Sequence, residues 1–222
     1  MQYPLESRHC PGQHVKVLGV TDSEKRSTTS YAVLGLLSVR PWTTYELAKQ
    51  VQRSLNWFWP RAERKLYDEP KRLVEQGLAT ATQEMTGNRP RTVYAITRKG
   101  RSTLRSWLSE KPEPPTVEFE GMVKVFFADS GSKDQLLATI DAIEAEASVR
   151  LAALATMSAG PVAFPKRVHL NAIALRLQHD QEQAIVRWAT WARAQVSQWA
   201  DTDDPADWDS AAVLNALAQS RS

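Results

Sequence analysis

Three basic side chains lie close together in the N-terminal half of the chain: Arg61, Arg64 and Lys65. An arginine guanidinium can hold a guanine edge or a phosphate with two parallel hydrogen bonds, whereas a lysine ammonium acts as a point charge on phosphate. At the start of a helix, such side chains are placed to read the major groove of duplex DNA. The alternative is a solvated helix face, with Glu63 and Asp68 as local ion partners.

Two further arginines, Arg89 and Arg91, flank Pro90 after the turn-like residues Gly87 and Asn88. At a hairpin tip they could enter a narrow minor groove or lie on phosphate. A solvent-exposed turn without a partner is the alternative.

A second set of side chains in this region is predicted to contact the phosphate backbone. The set comprises Lys49, Tyr67, Lys71, Arg72 and Arg98. For Tyr67, packing against the hairpin is an equal alternative.

The elements that must position these groups follow from local signals. Pro60 suits the first position of a helix, and Gly77 before Leu78 is a stop signal. Leu66, Pro70 and Leu73 form its inward face, although Pro70 should kink or divide the helix. Residues 80–84 and 92–97 alternate as strands around a turn at residues 87–90, and Thr97 caps a following helix that runs to about residue 109.

Two helices are predicted before this segment. The first is capped by hydroxyls at residues 28–30, covers residues 31–37 and ends before Pro41. Thr43 and Glu46 have the spacing of a capping box, which predicts a second helix from this point.

Charge is divided unevenly along the chain. Residues 28–111 contain 15 Lys and Arg against 7 Asp and Glu, whereas residues 112–222 contain 9 against 15. The first segment has the charge to meet a polyanion, and the second would repel one. The sequence therefore predicts a basic module joined to an acidic module with another task.

Other features exclude several classes of protein. One cysteine, Cys10, excludes an intramolecular disulfide framework, and no apolar run is long enough to span a bilayer. We expect a cytoplasmic protein with no membrane partner, no cofactor and no enzymatic activity, since no nucleophile-and-base pattern or phosphate-binding glycine loop is present. His9, Cys10 and His14 form only a weak metal-site pattern, and we expect no metal.

The second half of the chain is predicted to be helical after a proline-rich linker at residues 111–115. A short apolar helix covers residues 117–128, and two long amphipathic helices cover residues 132–158 and 165–199. Ile173, Leu177, Ala184, Trp188 and Trp191 share one side of the second long helix. Two such helices cannot close a core alone, so each should pack on its neighbour and on another chain, giving a homodimer.

Aromatic side chains near the expected domain and dimer junctions could line a small-molecule cavity, although ordinary core packing is the competing interpretation. The candidate effector-binding residues are Trp107, Phe126, Trp188 and Trp191.

Several motifs, in order and spacing, resemble those of the PadR family of bacterial transcriptional regulators. They are Leu34-Gly35-Leu36-Leu37, Tyr45-Glu46-Leu47, Leu66-Tyr67, Lys71-Arg72-Leu73, Gly77-Leu78, Asn88-Arg89-Pro90-Arg91, Tyr94 and Thr97-Arg98-Lys99-Gly100. The resemblance covers about residues 29–108, and residues 117–199 are similar to the C-terminal dimerisation domain of one subfamily.

The resemblance implies a homodimer whose two winged-helix domains bind double-stranded operator DNA at a palindrome. It also implies repression that a small, often aromatic, effector relieves. This chain departs from the family pattern at Thr44, where a glycine is common, and at residues 66–70, where Leu-Tyr-Pro-Ala-Leu is frequent.

The predicted fold class is thus mostly α with a small β-hairpin wing. We expect a disordered leader at residues 1–27, a winged-helix DNA-binding domain at 28–111, a helical dimerisation domain at 112–200, and an acidic tail at 201–222 with a short helix over residues 211–217. A winged-helix protein-interaction scaffold and a small-molecule sensor without DNA binding are the alternative functions.

Overall fold

The computed structural model describes residues 26–55, 57–59, 66–87, 89–161, 164–203, 205 and 208–219. This described part divides between Lys111 and Pro112 into two compact units. In the first unit the elements are α1 (Thr28–Val39), β1 (Trp42–Thr43), α2 (Thr44–Ser54), α3 (Glu69–Glu75), β2 (Ala79–Thr86), β3 (Arg89–Ile96) and α4 (Arg98–Trp107). The prediction of a mostly helical chain with a small hairpin is confirmed.

The first two helices begin at side-chain caps. Ser27 caps α1, with the amide of Ser30 donating to its hydroxyl at 3.2 Å. Helix α1 thus begins at residue 28, and residues 1–25 of the expected leader lie outside the described residues. At α2, Thr43 and Glu46 form the predicted capping box.

Helix α3 begins at Glu69 with Pro70 in its first turn, so the missing amide of the proline removes no helical hydrogen bond. Residues 66–68 form a turn, and the predicted helix is therefore not continuous through Pro70. At the other end, Gly77 adopts φ +69°, and the amide of Leu78 donates to the Leu73 carbonyl at 2.8 Å. This is a Schellman stop, as the Gly-Leu pair predicts.

The sheet has the strand order β1-β3-β2 and is antiparallel throughout. Strands β2 and β3 pair along their full length as a hairpin, with Thr86 opposite Arg89 and Gly87 at φ +59° in the turn. The short strand β1, which the sequence analysis missed, pairs Trp42 with Tyr94.

The core of the first unit lies between the helices and the base of the hairpin. Its fully buried side chains come from each layer: Val33, Leu34, Leu37, Leu47, Val51, Leu66, Leu73 and Leu78. Gly100 lies against this layer so closely that a Cβ there would meet the Leu78 carbonyl oxygen at 2.1 Å. The hairpin and α4 are thereby fixed to the helices.

The second unit is helical in its described residues. Its elements are α5 (Glu120–Phe126), a 3₁₀ turn (Ala128–Ser130), α6 (Lys133–Ala159), a second 3₁₀ turn (Pro165–Arg167), α7 (Val168–Gln198) and α8 (Ser210–Gln219). A capping box of Ser132 and Gln135 starts α6. None of the helices described here combines the length and apolar character needed to cross a membrane.

Helices α6 and α7 pack along each other, and their core includes Leu136, Ile140, Ala189, Ala192 and Val196. A buried carboxylate, Glu182 of α7, accepts a hydrogen bond from Arg150 Nε of α6 at 2.5 Å. A charge removed from water is tolerated when it is paired in this way.

Only part of the predicted apolar side of α7 packs on α6. Trp188 lies against the core that the two helices share, whereas Ile173 and Leu177 are 71% and 57% exposed. Gln178 and Glu182 are buried instead, and Arg150 is the hydrogen-bond partner of Glu182.

Candidate nucleic-acid interface

The predicted phosphate-contacting side chains of the first unit lie on its surface. The exposed residues of this set are Lys49, Tyr67, Lys71, Arg72 and Arg98. Exposure leaves their charged or phenolic ends accessible to a partner, as a phosphate contact requires.

Arg61, Arg64 and Lys65, the predicted base-reading residues, lie outside the described residues. The chain is anchored on both sides of them. Before them, Trp59 Nε1 donates to the hydroxyl of Thr29 at 3.2 Å; after them, Leu66 is fully buried. The described residues on either side of the three basic residues therefore contact the rest of the first unit.

Helix α3 is tied to α1 by a pair that the sequence analysis missed. The hydroxyl of Ser30 donates to Oε1 of Glu69 at 2.5 Å, and both residues are buried. A buried carboxylate must be hydrogen-bonded, so this contact fixes where α3 begins relative to α1. No local signal predicts it, because the partners are far apart in sequence.

The distal part of the β2–β3 hairpin, which we call the wing, is exposed on both strands from Ala81 to Arg91 wherever its side chains are described. Arg89 and Pro90 belong to strand β3 and not to the turn, which corrects the prediction that residues 87–90 form the turn. Arg91 lies opposite Glu84 and donates to its carboxylate at 2.8 Å.

The base of the wing is held by hydrogen bonds to the end of α3. The hydroxyl of Thr97 donates to the Gly77 carbonyl at 2.8 Å, and it also caps α4 by accepting from the amide of Gly100. Lys99 Nζ donates to the Gln76 carbonyl at 2.8 Å. A cation at a helix C-terminus is stabilising, so Lys99 has a structural role here.

The pKa of the Glu46 carboxyl is lowered from its ordinary value. Burial alone would raise it, but the amide and hydroxyl of Thr43 and the guanidinium of Arg40 together lower the pKa of the Glu46 carboxyl. Arg40 also lies over the ring of Trp42 at 3.5 Å. These contacts fix the start of α2, the helix that carries Lys49.

The four aromatic candidates separate into two places. Trp107 belongs to the first unit and stacks on Tyr31 with ring centroids 4.6 Å apart. In the second unit, Phe126, Trp188 and Trp191 line one cavity of about 360 Å³. Two further aromatic lining residues, Trp199 and Trp208, were missed by the sequence analysis, and their only sequence signal is a pair of tryptophans near the acidic tail.

Comparisons with known proteins match the two units to two family models. Residues 33–106 match the transcriptional regulator PadR-like family, and residues 120–197 match the virulence activator alpha C-term model. Along the sequence, the chain is 26% identical to the negative transcriptional regulator PadR of Bacillus subtilis, over 71% of this chain and 91% of that protein.

Solved structures show the same fold. Bacillus subtilis PadR in complex with operator DNA superposes with a TM-score of 0.67 at 24% identity, covering 77% of this chain and 99% of that one. The same protein in complex with p-coumaric acid superposes with a TM-score of 0.61 at 24% identity, and the match covers 80% of this chain and 99% of that one. The Vibrio cholerae virulence activator AphA superposes with a TM-score of 0.61 at 26% identity, and the match covers 76% of this chain and 98% of that one.

These matches confirm the resemblance and the winged-helix architecture drawn from the motifs. Because the matched proteins are regulators of transcription, they also agree with the prediction that the chain is not an enzyme. Residues 33–106 are thus a domain of the PadR-like family, and the matched relatives support a PadR-family transcriptional regulator.

Proposed function

We propose that this protein is a homodimer that binds a palindromic operator in double-stranded DNA and represses transcription by occupying the promoter. The observation that carries the proposal is the exposed wing with Arg89 and Arg91, in a unit that shares its fold with a PadR crystallised on operator DNA. The excess of basic residues in this half of the chain provides the attraction to phosphate. In a bacterial cell such a protein works in the cytoplasm.

The proposed contacts divide by role. Arg61, Arg64 and Lys65 read bases in the major groove, and Arg89 and Arg91 hold the duplex through the wing. The exposed side chains at their flanks contact phosphates: Lys49, Tyr67, Lys71, Arg72 and Arg98. Phosphate contacts set the register, and base contacts give the specificity.

The exposed face of α7 supports the dimer. Leu170, Leu177 and Ala184 recur every seven residues, and each is exposed. A strict seven-residue apolar repeat is the pattern of a helix that packs on another helix as a coiled coil. Since this face does not pack on α6, we assign it to a second copy of the chain.

Repression is proposed because the relative matched along most of this chain is a negative regulator. An effector is proposed because that relative has been crystallised with p-coumaric acid. In this chain the cavity lined by Phe126, Trp188 and Trp191 is the place we assign to an effector. Trp107 is outside that cavity.

A fluorescence anisotropy titration with the DNA upstream of the protein's own gene tests the proposal. A complex with about 6–10 phosphate contacts should lose on the order of a thousandfold or more in affinity between 50 and 200 mM salt. Absence of binding at low salt, or an affinity that salt leaves unchanged, contradicts the proposal.

Two substitutions separate the proposed roles. Arg64→Ala should relax base preference and cost about 1–3 kcal/mol on the cognate site, whereas Arg89→Ala should weaken all duplexes evenly and reduce the salt slope by about one. Glu110→Gln, at an exposed carboxylate beyond the end of α4, is the control for folding and net charge. Identical profiles for Arg64→Ala and Arg89→Ala would refute the division.

A further inference from the structure

The cavity of the second unit is an aromatic cage. Five rings line it, contributed by three parts of the unit: Phe126, Trp188, Trp191, Trp199 and Trp208. Its volume of about 360 Å³ lies at the lower end of the range for small-ligand sites, which suits a molecule of one or two rings.

One side of the cage is formed by the segment that follows α7. The rings of Trp199 and Trp208 lie 5.2 Å apart, and Trp208 Nε1 donates to Gln195 Oε1 of α7 at 3.0 Å. Lys133 of α6 holds the start of the segment by donating to the carbonyl of Trp199 at 2.5 Å. Because the C-terminal family match ends at residue 197, this side of the cage lies beyond it.

The cage also contains a polar group without a partner. The indole nitrogen of Trp199 is buried, and it makes no hydrogen bond among the described residues. Because this nitrogen has no surface open to the cavity, Trp199 contributes its ring to the lining and not a hydrogen-bond donor.

The charged and polar residues that line the cavity indicate which ligand charge it would favour. Asp129 is the one charged side chain among the described residues that line the cavity, and the remaining polar lining consists of Gln195 and Thr202. Tryptophan faces attract cations more strongly than other aromatic rings do, and a carboxylate adds to that attraction. We propose that this cavity binds an organic cation with an aromatic body of one or two rings.

The same lining disfavours an aromatic acid. A ligand carboxylate would meet Asp129, and no lysine or arginine is among the described lining residues. Lys133 is close to the segment, but its ammonium is already bound by the carbonyls of Ser197 and Trp199. The inference deepens the proposed function by defining the effector of the regulator, and it distinguishes this chain from the relative crystallised with p-coumaric acid.

Isothermal titration calorimetry on the full-length protein, without DNA, tests the charge preference. Three bicyclic probes of nearly equal shape are compared: N-methylquinolinium, 1-methylnaphthalene and 1-naphthoate. The cation should bind about three- to thirtyfold more tightly than the neutral compound, since cation–π attraction contributes on that order. The anion should bind most weakly. Equal affinity for cation and neutral compound, no binding of the cation, or preference for the anion overturns the proposal.

Substitutions locate the site. Asp129→Asn should lower the affinity for N-methylquinolinium about three- to tenfold and leave that for 1-methylnaphthalene unchanged. Glu146→Gln, which removes an exposed carboxylate of α6 outside the cavity, is the matched control and should change neither. Equal losses in Asp129→Asn and Glu146→Gln would show a general charge effect and refute the site.

Trp208→Ala provides a second readout, because Trp208 follows the long helices and contributes to the cage through its side chain. Binding of N-methylquinolinium should fall at least tenfold, and unchanged binding would overturn the location. The titrations contain no DNA, so failure of the cation proposal is distinguishable from failure of operator binding, which the anisotropy salt series measures separately.

Discussion

The two units differ in how completely they bury their own apolar side chains. In the first unit, Val33 and Leu34 of α1 are 0% exposed and Leu37 is 1% exposed. In the second unit, α7 leaves Ile173 and Leu177 mostly exposed although the helix spans 31 residues. A helix that is apolar on a face its own chain does not cover requires another surface. The first unit therefore buries the apolar side chains of α1 within itself, whereas α7 has an apolar face that the proposed second copy would cover.

The difference extends to charge and to function. The unit with the closed core has the basic surface, and its proposed task depends on side chains that point away from the core. The unit with the open face is acidic, and its proposed tasks, dimerisation and effector binding, depend on apolar side chains. The same substitution should therefore destabilise the two units to different extents.

Leucine-to-alanine substitutions provide the largest expected contrast. Leu34→Ala should destabilise the first unit by about 2–5 kcal/mol because it leaves a cavity in a closed core. Leu177→Ala should cost under about 1 kcal/mol at protein concentrations where the chain is monomeric. Urea denaturation monitored by hydrogen exchange in peptides of α1 and α7 measures both values. If the two substitutions lowered the free energy of unfolding by similar amounts, the proposed difference in burial between the two units would be contradicted.

The open face is tested by charge insertion. Ile173→Glu combined with Leu177→Glu should convert the dimer to a monomer and lower operator affinity about a hundredfold, since linked half-site binding is lost. Sedimentation velocity and anisotropy measure the two effects. Val149→Glu, at an exposed valine of α6, is the matched control and should remain dimeric. If the double variant remained dimeric, the exposed face of α7 would not be the interface with a second copy.

Features that depend on neighbouring residues could be predicted from the sequence. The capping box of Thr43 and Glu46 and the Schellman stop at Gly77 both form, because each is a contact between a residue and the backbone of the same turn. The hairpin was predicted for the same reason, although Arg89 proved to be within the strand.

Features that depend on distant partners could not be predicted. Strand β1 has two residues and exists because Trp42 pairs with Tyr94. The buried face of α7 contains Glu182, which sequence analysis would place in solvent, because Arg150 lies beside it. Likewise, Trp199 and Trp208 line a cavity together with residues that are distant in sequence, such as Phe126.

A smaller effect is expected at the start of α2. Thr43→Ala removes the cap and should destabilise the first unit by about 1 kcal/mol, while Thr43→Ser should retain the cap. The pKa of Glu46 is lowered in the folded state, so its contribution is present above the unfolded pKa and is lost as pH falls through the folded one. Denaturation at neutral and acidic pH should therefore show the Thr43→Ala cost shrinking in acid. If the destabilisation caused by Thr43→Ala did not depend on pH, the contribution of the Thr43 cap would be independent of the charge on Glu46.

The smallest expected effect concerns the ion pair between Arg91 and Glu84 in the wing. It tests whether an acidic residue of the basic unit weakens the binding of DNA. Arg91 is bound to Glu84 at 2.8 Å, so a phosphate must compete with that carboxylate. An exposed ion pair contributes under about 1 kcal/mol, and Glu84→Gln should accordingly tighten DNA binding about two- to threefold and steepen its salt dependence. Glu110→Gln removes the same charge away from the wing and should change affinity less. Equal gains in the two variants would mean that Arg91 does not reach the duplex, leaving Arg89 as the contact of the wing.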